Sequence, residues 1–218
     1  MEKILSQNYF IGAILEAEKR GKEADFSGKT IEGFILSDRQ IRIPLLLKNA
    51  RVLGQAYFNN ITFEKEINFE GAVINGAFSI SESCLKENFI SRKISVRESL
   101  KLIGNVFEKN LDFEGTQIRG FLSLNKSKIL GKTNLKKMNV LNLQERIGTI
   151  IGNFYFEEAK AKEVIIENVI IDGNLSFKNT ILESLSFLNV KIKGEVRFSN
   201  KDILSAKIKE RKKLETEL

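Results

Sequence analysis

A run of basic side chains is the clearest candidate for chemistry in this sequence. No acid occurs between Glu114 and Glu145, whereas six bases do. They are Arg119, Lys126, Lys128, Lys132, Lys136 and Lys137. Cations in such a run can neutralise phosphate groups, so the pattern predicts salt-dependent contact with a polyanion. Lysines also keep strands soluble and discourage edge pairing, and this purely structural interpretation stays open.

Most kinds of catalytic and metal site are excluded or unsupported. The 218-residue chain has no histidine, which rules out Ser-His and Cys-His nucleophiles and histidine-ligated metals. The acid pairs Glu64 with Glu66 and Glu157 with Glu158 stand beside lysines, as on a solvated surface. Residues 131–133 read Gly-Lys-Thr but lack the upstream glycine of a phosphate-binding loop. We therefore expect no enzyme activity, no cofactor and no metal.

Charge and cysteine content set the expected surroundings. Lys and Arg outnumber Asp and Glu by 35 to 28, a net charge of +7, and this favours anionic partners where the charge is concentrated. The single cysteine, Cys84, cannot form an internal disulfide, so a reducing cytoplasm is expected. The first residues do not fit a signal peptide, and the early apolar run 9–15 is too short to span a bilayer.

An internal repeat dominates the chain from about residue 26 to residue 200. Segments 47–58, 69–80, 113–124 and 166–177 share one template. An apolar residue is followed by Gly or Asn two positions later, an apolar residue five later, Gly seven later and another apolar residue eleven later. Such self-similarity is the signature of a repeat architecture and has to be interpreted before any single element.

Stepping along the chain by eleven residues gives two apolar registers. The first is broken by one polar residue and consists of Leu47, Phe58, Phe69, Ile80, Ser91, Leu102, Phe113, Leu124 and Leu135. The second is unbroken and consists of Val52, Phe63, Ile74, Leu85, Val96, Phe107, Ile118, Ile129 and Val140. Gly54, Gly76 and Gly120 recur at or at twice the double interval, which indicates about 22 residues per coil.

These registers predict an all-β solenoid rather than a helix or a meander. Apolar residues every five or six positions, with recurrent Gly and Asn, do not match the spacing of an amphipathic helix. We expect each side of a four-sided coil to point apolar residues inward, with corners made by residues that tolerate positive φ. Arg119 would then lie above Arg97, which adds Arg97 to the candidate polyanion site. The register drifts near 81–106 and 136–162, where bulged corners or loops are expected.

The strings Asn-Ala-Arg-Val-Leu-Gly, Gly-Ala-Val-Ile-Asn-Gly and Gly-Thr-Gln-Ile-Arg-Gly, spaced by Phe or Leu, carry a family resemblance. They resemble the right-handed quadrilateral β-helix of pentapeptide-repeat proteins over about residues 26–200. The resemblance implies a solenoid and no particular chemistry. Because the spacing here is not strictly five residues, a triangular, bactofilin-like β-helix is the alternative.

Both ends of the chain are expected to cap the solenoid, because open solenoid ends expose strand edges. Residues 1–25 predict a helical cap with Ile4, Ile11 and Leu15 as its apolar stripe. Residues 201–218 predict a second, charged helix, whose stripe is Ile203, Leu204, Ile208 and Leu214. Alternatives are a membrane-surface helix at the N-terminus and a homodimer formed through the C-terminal helix.

Two functions follow from the sequence as hypotheses. The first is a non-enzymatic scaffold whose rigid face binds a protein partner of unknown identity. The second is a basic binder of nucleic acid or an anionic membrane surface, using residues 119–137. Some pentapeptide-repeat proteins protect DNA gyrase by mimicking DNA, but residues 26–200 carry more bases than acids, whereas a DNA mimic needs net negative charge.

Overall fold

A computed structural model shows a parallel β-solenoid of about eight coils with one short helix at its N-terminal end. The structure describes residues 3–150, 153–158, 160–198 and 207–210. Described strands pair in parallel with strands of the next coil, 21 or 22 residues further on, as in Leu45 with Ile67. At the usual spacing of about 4.8 Å between strands, eight coils make a rod roughly 40 Å long. The predicted all-β solenoid is confirmed.

The strands are short because each coil turns at four corners. Before the first coil come β1 (Ile4–Leu5) and helix α1 (Gln7–Lys19). The first three coils contain β2 (Ala24–Asp25), β3 (Thr30–Ile31), β4 (Phe34–Ile41), β5 (Leu45–Leu46), β6 (Arg51–Val52), β7 (Ala56–Phe63), β8 (Ile67–Asn68), β9 (Val73–Ile74), β10 (Phe78–Ser81) and β11 (Cys84–Leu85). Coils 4 and 5 contain β12 (Phe89–Ile90), β13 (Ser95–Val96), β14 (Leu100–Ile103), β15 (Val106–Phe107), β16 (Leu111–Asp112), β17 (Gln117–Ser123) and β18 (Lys128–Ile129).

The later coils fuse neighbouring sides into longer strands. Coils 6 to 8 contain β19 (Thr133–Asn134), β20 (Asn139–Ile150), β21 (Phe154–Tyr155), β22 (Lys160–Ile171), β23 (Leu175–Ser176), β24 (Ile181–Leu188) and β25 (Lys191–Ile192). Two further strands, β26 (Val196–Arg197) and β27 (Lys207–Glu210), begin another coil. We number the sides of a coil from its first strand, so that coil 2 has β5 on side 1, β6 on side 2 and the two halves of β7 on sides 3 and 4.

Both apolar registers point into the solenoid. Every residue of the two predicted registers is buried, and none is more than 4% exposed. Four inward-pointing strand segments per coil are therefore built from residues that are unfavourable in water, and their burial drives the coiling. This confirms the predicted orientation of Val52, Ile74 and Ile118.

Ser91, the polar exception in the first register, is also fully buried. Its position is surrounded by aromatic packing, because Phe89 contacts Phe69 and Phe113 at ring-centroid distances of 6.2 and 5.5 Å. The Ser91 hydroxyl has no hydrogen-bond partner among the described residues. A buried hydroxyl without a partner is destabilising.

We expect the Ser91→Ala variant to be more stable than the native protein by about 1 kcal/mol, since it removes that unpaired hydroxyl. The neighbouring Thr116 gives the matched control, because its hydroxyl donates to the Ser91 carbonyl oxygen at 3.0 Å. Thr116→Val should lower stability by about 1 kcal/mol. Urea unfolding followed by circular dichroism measures both, and a loss of stability in Ser91→Ala would contradict the assignment.

Two columns of corners use left-handed backbone. After side 1 the φ angle is positive at Asn49, Gly71, Lys93, Gly115 and Lys137, one per coil. After side 3 it is positive at Asp38, Asn60, Glu82, Gly104 and Lys126. Gly, Asn and Asp are favoured at such positions because they tolerate this conformation best.

The recurrent glycines at 54, 76 and 120 have a different role from the one predicted. None of them has positive φ. A Cβ at Gly76 would lie 2.8 Å from the carbonyl oxygen of Gly54, one coil below. These glycines are therefore required by the close approach of successive backbones, which is a steric reason rather than a conformational one.

The corner between sides 2 and 3 changes length along the rod. Inward residues Val52 and Ala56 lie four positions apart in coil 2, but their partners Ile31 and Phe34 in coil 1 lie three apart. The shorter corner returns in coil 6, after a register shift following Ile118. Coils 2 to 5 thus carry one extra residue here. We call this four-coil corner, residues 53–55, 75–77, 97–99 and 119–121, the ridge.

The predicted irregularities are only partly found. Pairing of Phe78 with Leu100 and of Cys84 with Val106 keeps the 22-residue step through 81–106, so the bulged corners or loops expected there are absent. In 136–162 the coil shortens by one residue at the corner after side 2, and in the described part no loop interrupts the pairing of β20 with β22. The drift seen in the sequence is therefore mainly a change of corner length.

Helix α1 covers the N-terminal end of the solenoid, as predicted, but with a different face. Phe10 and Ile14 are fully buried, whereas Ile4 and Leu15 of the predicted stripe are exposed and Ile11 is only partly buried. The helix begins at Gln7, after Ser6, whose side chain accepts a hydrogen bond from the Tyr9 N–H. The apolar stripe was misplaced because Ile4 belongs to β1 rather than to the helix.

The C-terminal helix is not found in the part of the chain that the structure describes. Lys207–Glu210, inside the predicted helix, form a strand that pairs with residues 184–187. Its backbone extends the side 3 sheet, so Ile208 lies beside Leu185 instead of on a helical stripe. Ile203, Leu204 and Leu214 lie outside the described residues. The one helix described, α1, is too short and too polar to cross a bilayer.

Candidate functional site on the ridge

The structure does not bring the predicted basic residues together on one surface. Arg97 and Arg119 lie on the ridge, Lys126 and Lys128 at the corner after side 3 and on side 4, Lys132 at the corner before side 1, and Lys136 and Lys137 at the corner after side 1. Residues 119–137 make most of one turn around the rod. Their charges consequently point in different directions, and a single extended polyanion cannot contact all of them.

Lys136 and Lys137 belong to a column of alternating charge at the corner after side 1. The column consists of Lys48, Glu70, Arg92, Glu114, Lys136, Glu157 and Lys178. The Lys136 Nζ lies 2.7 Å from Glu157 Oε2, and the Lys137 Nζ lies 3.9 Å from both Glu114 and Glu158. Although burial acts to raise it, hydrogen bonds from Lys136 and Ser176 hold the pKa of Glu157 below its usual value. These two cations are thus already compensated.

Lys132 is also engaged within the protein. Its Nζ lies 5.2 Å from the centre of the Tyr155 ring, and the Lys136 Nζ lies 5.1 Å from the same ring. Such cation–π contacts favour this side-chain arrangement by a modest amount. An aromatic ring beside two lysines was not expected from the sequence, because Tyr155 is nearly one coil away from Lys132.

Arg97 and Arg119 are the members of the predicted set that the fold places side by side. Pairing of Val96 with Ile118 and of Leu100 with Leu122 puts them on successive coils of the ridge, about 4.8 Å apart along the axis. Both are exposed. Neither has a hydrogen bond or an ion pair with the residues that the structure describes. Their mutual repulsion is left uncompensated by protein contacts.

Lys101 adds a third cation to this part of the ridge. It lies on side 3 of coil 4 and is exposed. Its Nζ lies 5.6 Å from the centre of the Phe121 ring, and Phe121 follows Arg119 by two residues. The Phe121 N–H is held by the Ser99 hydroxyl oxygen at 3.4 Å. Glu98 is the acid on the ridge, so the cluster formed by Arg97, Lys101 and Arg119 keeps a positive charge.

The N-terminal part of the ridge is apolar on its outer surface. Leu53 is 36% exposed, and Ile35, on side 3 of coil 1, is 55% exposed. Ile35 pairs directly with Tyr57 of coil 2, so their side chains are neighbours on side 3. The glycine column at Gly33 and Gly54 lies between Leu53 and this pair. Exposed apolar side chains that are grouped on a rigid surface are typical of interaction sites.

The sequence analysis missed Leu53, Ile35, Tyr57 and Lys101. The signal that could have found them is the 22-residue step applied to outward positions, which aligns Leu53 with Asn75, Arg97 and Arg119. Among the described residues, no group of three Cys, Asp or Glu side chains could hold a metal ion.

Cys84 lies half-buried on side 4 and has no disulfide partner. Burial and the nearby Glu108 carboxylate, 3.6 Å from the sulfur, raise the pKa of the thiol. Lys86 acts in the opposite direction. The thiol is therefore mostly protonated near neutral pH and is a poor nucleophile.

Alkylation of Cys84 by iodoacetamide at pH 8 should be slower than that of a free cysteine, because less thiolate is present. Glu108→Gln removes a charge that raises the pKa and should speed the reaction. Lys86→Gln removes a charge that lowers it and should slow the reaction. Mass spectrometry over time measures the three rates, and a reversed order of the two variants would contradict this account of the thiol.

Comparison with protein-family models, characterised proteins and solved structures gives no match for this chain.

Proposed function

We propose that this chain is a non-enzymatic binding module whose solenoid presents the ridge to a protein partner. The observation that carries the proposal is the group of exposed apolar side chains, Leu53, Ile35 and Tyr57, at the N-terminal part of the ridge. Exposing such a group to water is unfavourable, and covering it with a partner recovers that free energy.

The framework under the ridge supports this role. Successive coils are joined by parallel pairing, as Ala56 is to Phe34 and Phe78, so each outward side chain has a fixed neighbour above and below. A surface that loses little conformational freedom on binding is well suited to a scaffold. Coils of 21 or 22 residues with two left-handed corners also resemble those of pentapeptide-repeat proteins, and we propose that relationship together with a cytoplasmic setting.

A second candidate is the binding of a nucleic acid or an anionic membrane surface. The observation in its favour is the unpaired cluster formed by Arg97, Lys101 and Arg119. The dispersal of Lys126, Lys128 and Lys132 over other sides weighs against it, since polyanion affinity grows with the number of phosphates contacted.

Site-specific photo-crosslinking tests the proposed function. The crosslinker p-benzoyl-phenylalanine replaces Tyr57 on the ridge or, as a matched control, Lys128 on side 4. We expect one protein adduct of constant mass from position 57 in a lysate of the source cells, its absence from position 128, and its loss in the Leu53→Asp variant. No adduct from position 57, identical adducts from both positions, or an adduct removed by nuclease would contradict the proposal.

A further inference from the structure

The outer surface of the ridge changes character from coil to coil. Its first residues are Leu53, Asn75, Arg97 and Arg119, in the order apolar, polar, basic and basic. The adjoining outward column on side 3 repeats the order with Tyr57, Ser79 and Lys101. Two parallel columns thus give the ridge an apolar end and a basic end.

No acid stands beside this gradient except at two positions. The outward residues of side 2 next to it are Arg51, Val73, Ser95 and Gln117. Glu32 precedes the ridge in coil 1, and Glu98 lies within it. Neither Arg97 nor Arg119 forms an ion pair with Glu98 among the described contacts, so both guanidinium groups have all their donors free for a ligand.

A phosphate backbone does not fit this surface. It carries one charge per nucleotide, so a strand bound at Arg97 and Arg119 and continuing along the ridge would lay phosphates against Leu53 and the pair Ile35 and Tyr57. Charged groups lose hydration against apolar side chains without gaining a partner. The complementary ligand is charged at one end and apolar at the other.

We propose that the ridge binds an acidic segment of a protein partner, with carboxylates at Arg97 and Arg119 and an apolar side chain at Leu53. Three coil spacings separate Leu53 from Arg119, about 14 Å, which four or five extended residues can span. Arginine is suited to this task because its guanidinium group binds a carboxylate through two parallel hydrogen bonds. The inference rests on the proposed function and specifies the chemistry of its partner.

Fluorescence anisotropy with a synthetic probe tests the inference on the full chain. The probe is a labelled peptide of roughly 12 residues, with leucines confined to one end and glutamates to the other, long enough to span the ridge as a helix or a strand. We expect binding that weakens with added salt. Arg97→Glu with Arg119→Glu should weaken it at least about tenfold, and Leu53→Ala about threefold to fivefold.

The matched control is Lys126→Glu with Lys128→Glu, which makes the same change in net charge away from the ridge. This variant should bind the peptide within about twofold of the native protein. A probe of the same composition with leucine and glutamate evenly mixed should bind more weakly, because it cannot match the gradient. All substituted residues are exposed, and circular dichroism checks that each variant is folded.

Three results would overturn the inference. One is equal weakening by the ridge and control variants, which would mean that only net charge acts. Another is peptide binding that is absent or unaffected by Arg97→Glu with Arg119→Glu. The third is tighter binding of a labelled oligothymidine than of the peptide, sensitive to the same two arginines. If the crosslink from position 57 persists unchanged in the doubly substituted ridge variant, the proposed function stands and the acidic-partner inference fails.

Discussion

Replacing Phe89 with alanine is expected to lower the free energy of unfolding by about 3–5 kcal/mol. Phe89 is fully buried and contacts more rings than any neighbour in the middle coils. Its centroid lies 6.2 Å from Phe69, 6.4 Å from Phe78, 6.2 Å from Phe107 and 5.5 Å from Phe113. Because backbone pairing between coils restricts their collapse, the cavity left by the ring should remain largely open.

Phe121 provides the matched control, since it is the same residue type on the outer surface of the ridge. It is half-exposed and lies under Lys101, so Phe121→Ala should cost at most about 1 kcal/mol. Urea unfolding of the two variants measures the difference. Equal losses would contradict the inward orientation of Phe89 and with it the packing of the middle coils.

Replacing Phe10 with glutamate is expected to detach helix α1 from the end of the solenoid. The Phe10 ring is fully buried and stacks on Phe34 at 4.3 Å, with Phe26 at 4.5 Å. An unpaired carboxylate cannot be accommodated there, and the loss of packing alone should cost about 3–5 kcal/mol. Freed strand edges in coil 1 would then recruit other chains, so we also expect self-association.

Tyr9 is adjacent in sequence and 53% exposed, which makes Tyr9→Glu the natural control. This variant should retain native stability within about 0.5 kcal/mol and should not associate further. Light scattering coupled to size-exclusion chromatography, together with thermal unfolding, compares the two. A Phe10→Glu protein as stable and no more associated than Tyr9→Glu would show that α1 does not serve as a cap.

The inward face of the solenoid could be predicted from the sequence because burial leaves a strong chemical record. A residue at the position of Val52 or Phe107 must be apolar in every coil, so the repeat is visible without any structure. Ser91 kept its place in the pattern although it is polar, since its neighbours in the register fixed the spacing. The number of sides followed from the same steps.

The corners were harder to predict because one residue type can serve two purposes. Gly71 has left-handed backbone, whereas Gly76 lies where a Cβ would collide with the coil below. Nothing in the letter G separates these cases. Similarly, the buried face of α1 depends on where β1 ends, and an error of a few residues exchanges Phe10 for Ile11.

The candidate site was only partly predictable because residues that are close in a solenoid are distant in sequence. Lys126 through Lys137 form a run in the chain, yet the coil distributes them over several corners. Arg97 and Arg119 lie 22 residues apart and become neighbours. The extra residue that makes the ridge is visible only when two coils are compared, through the pairing of Val52 and Ala56 with Ile31 and Phe34.

Disulfide trapping on the ridge tests the central claim most directly. In a Cys84→Ser background, Arg97→Cys with Arg119→Cys places two thiols on successive coils, within the Cα separation of about 4.4–6.8 Å that a disulfide requires. Arg119→Cys with Lys128→Cys places them closer in sequence but on different sides of the rod. Under mild oxidation we expect an intramolecular disulfide in the first protein and none in the second. Failure of the first pair to bridge while the second does would contradict the coil and the ridge together.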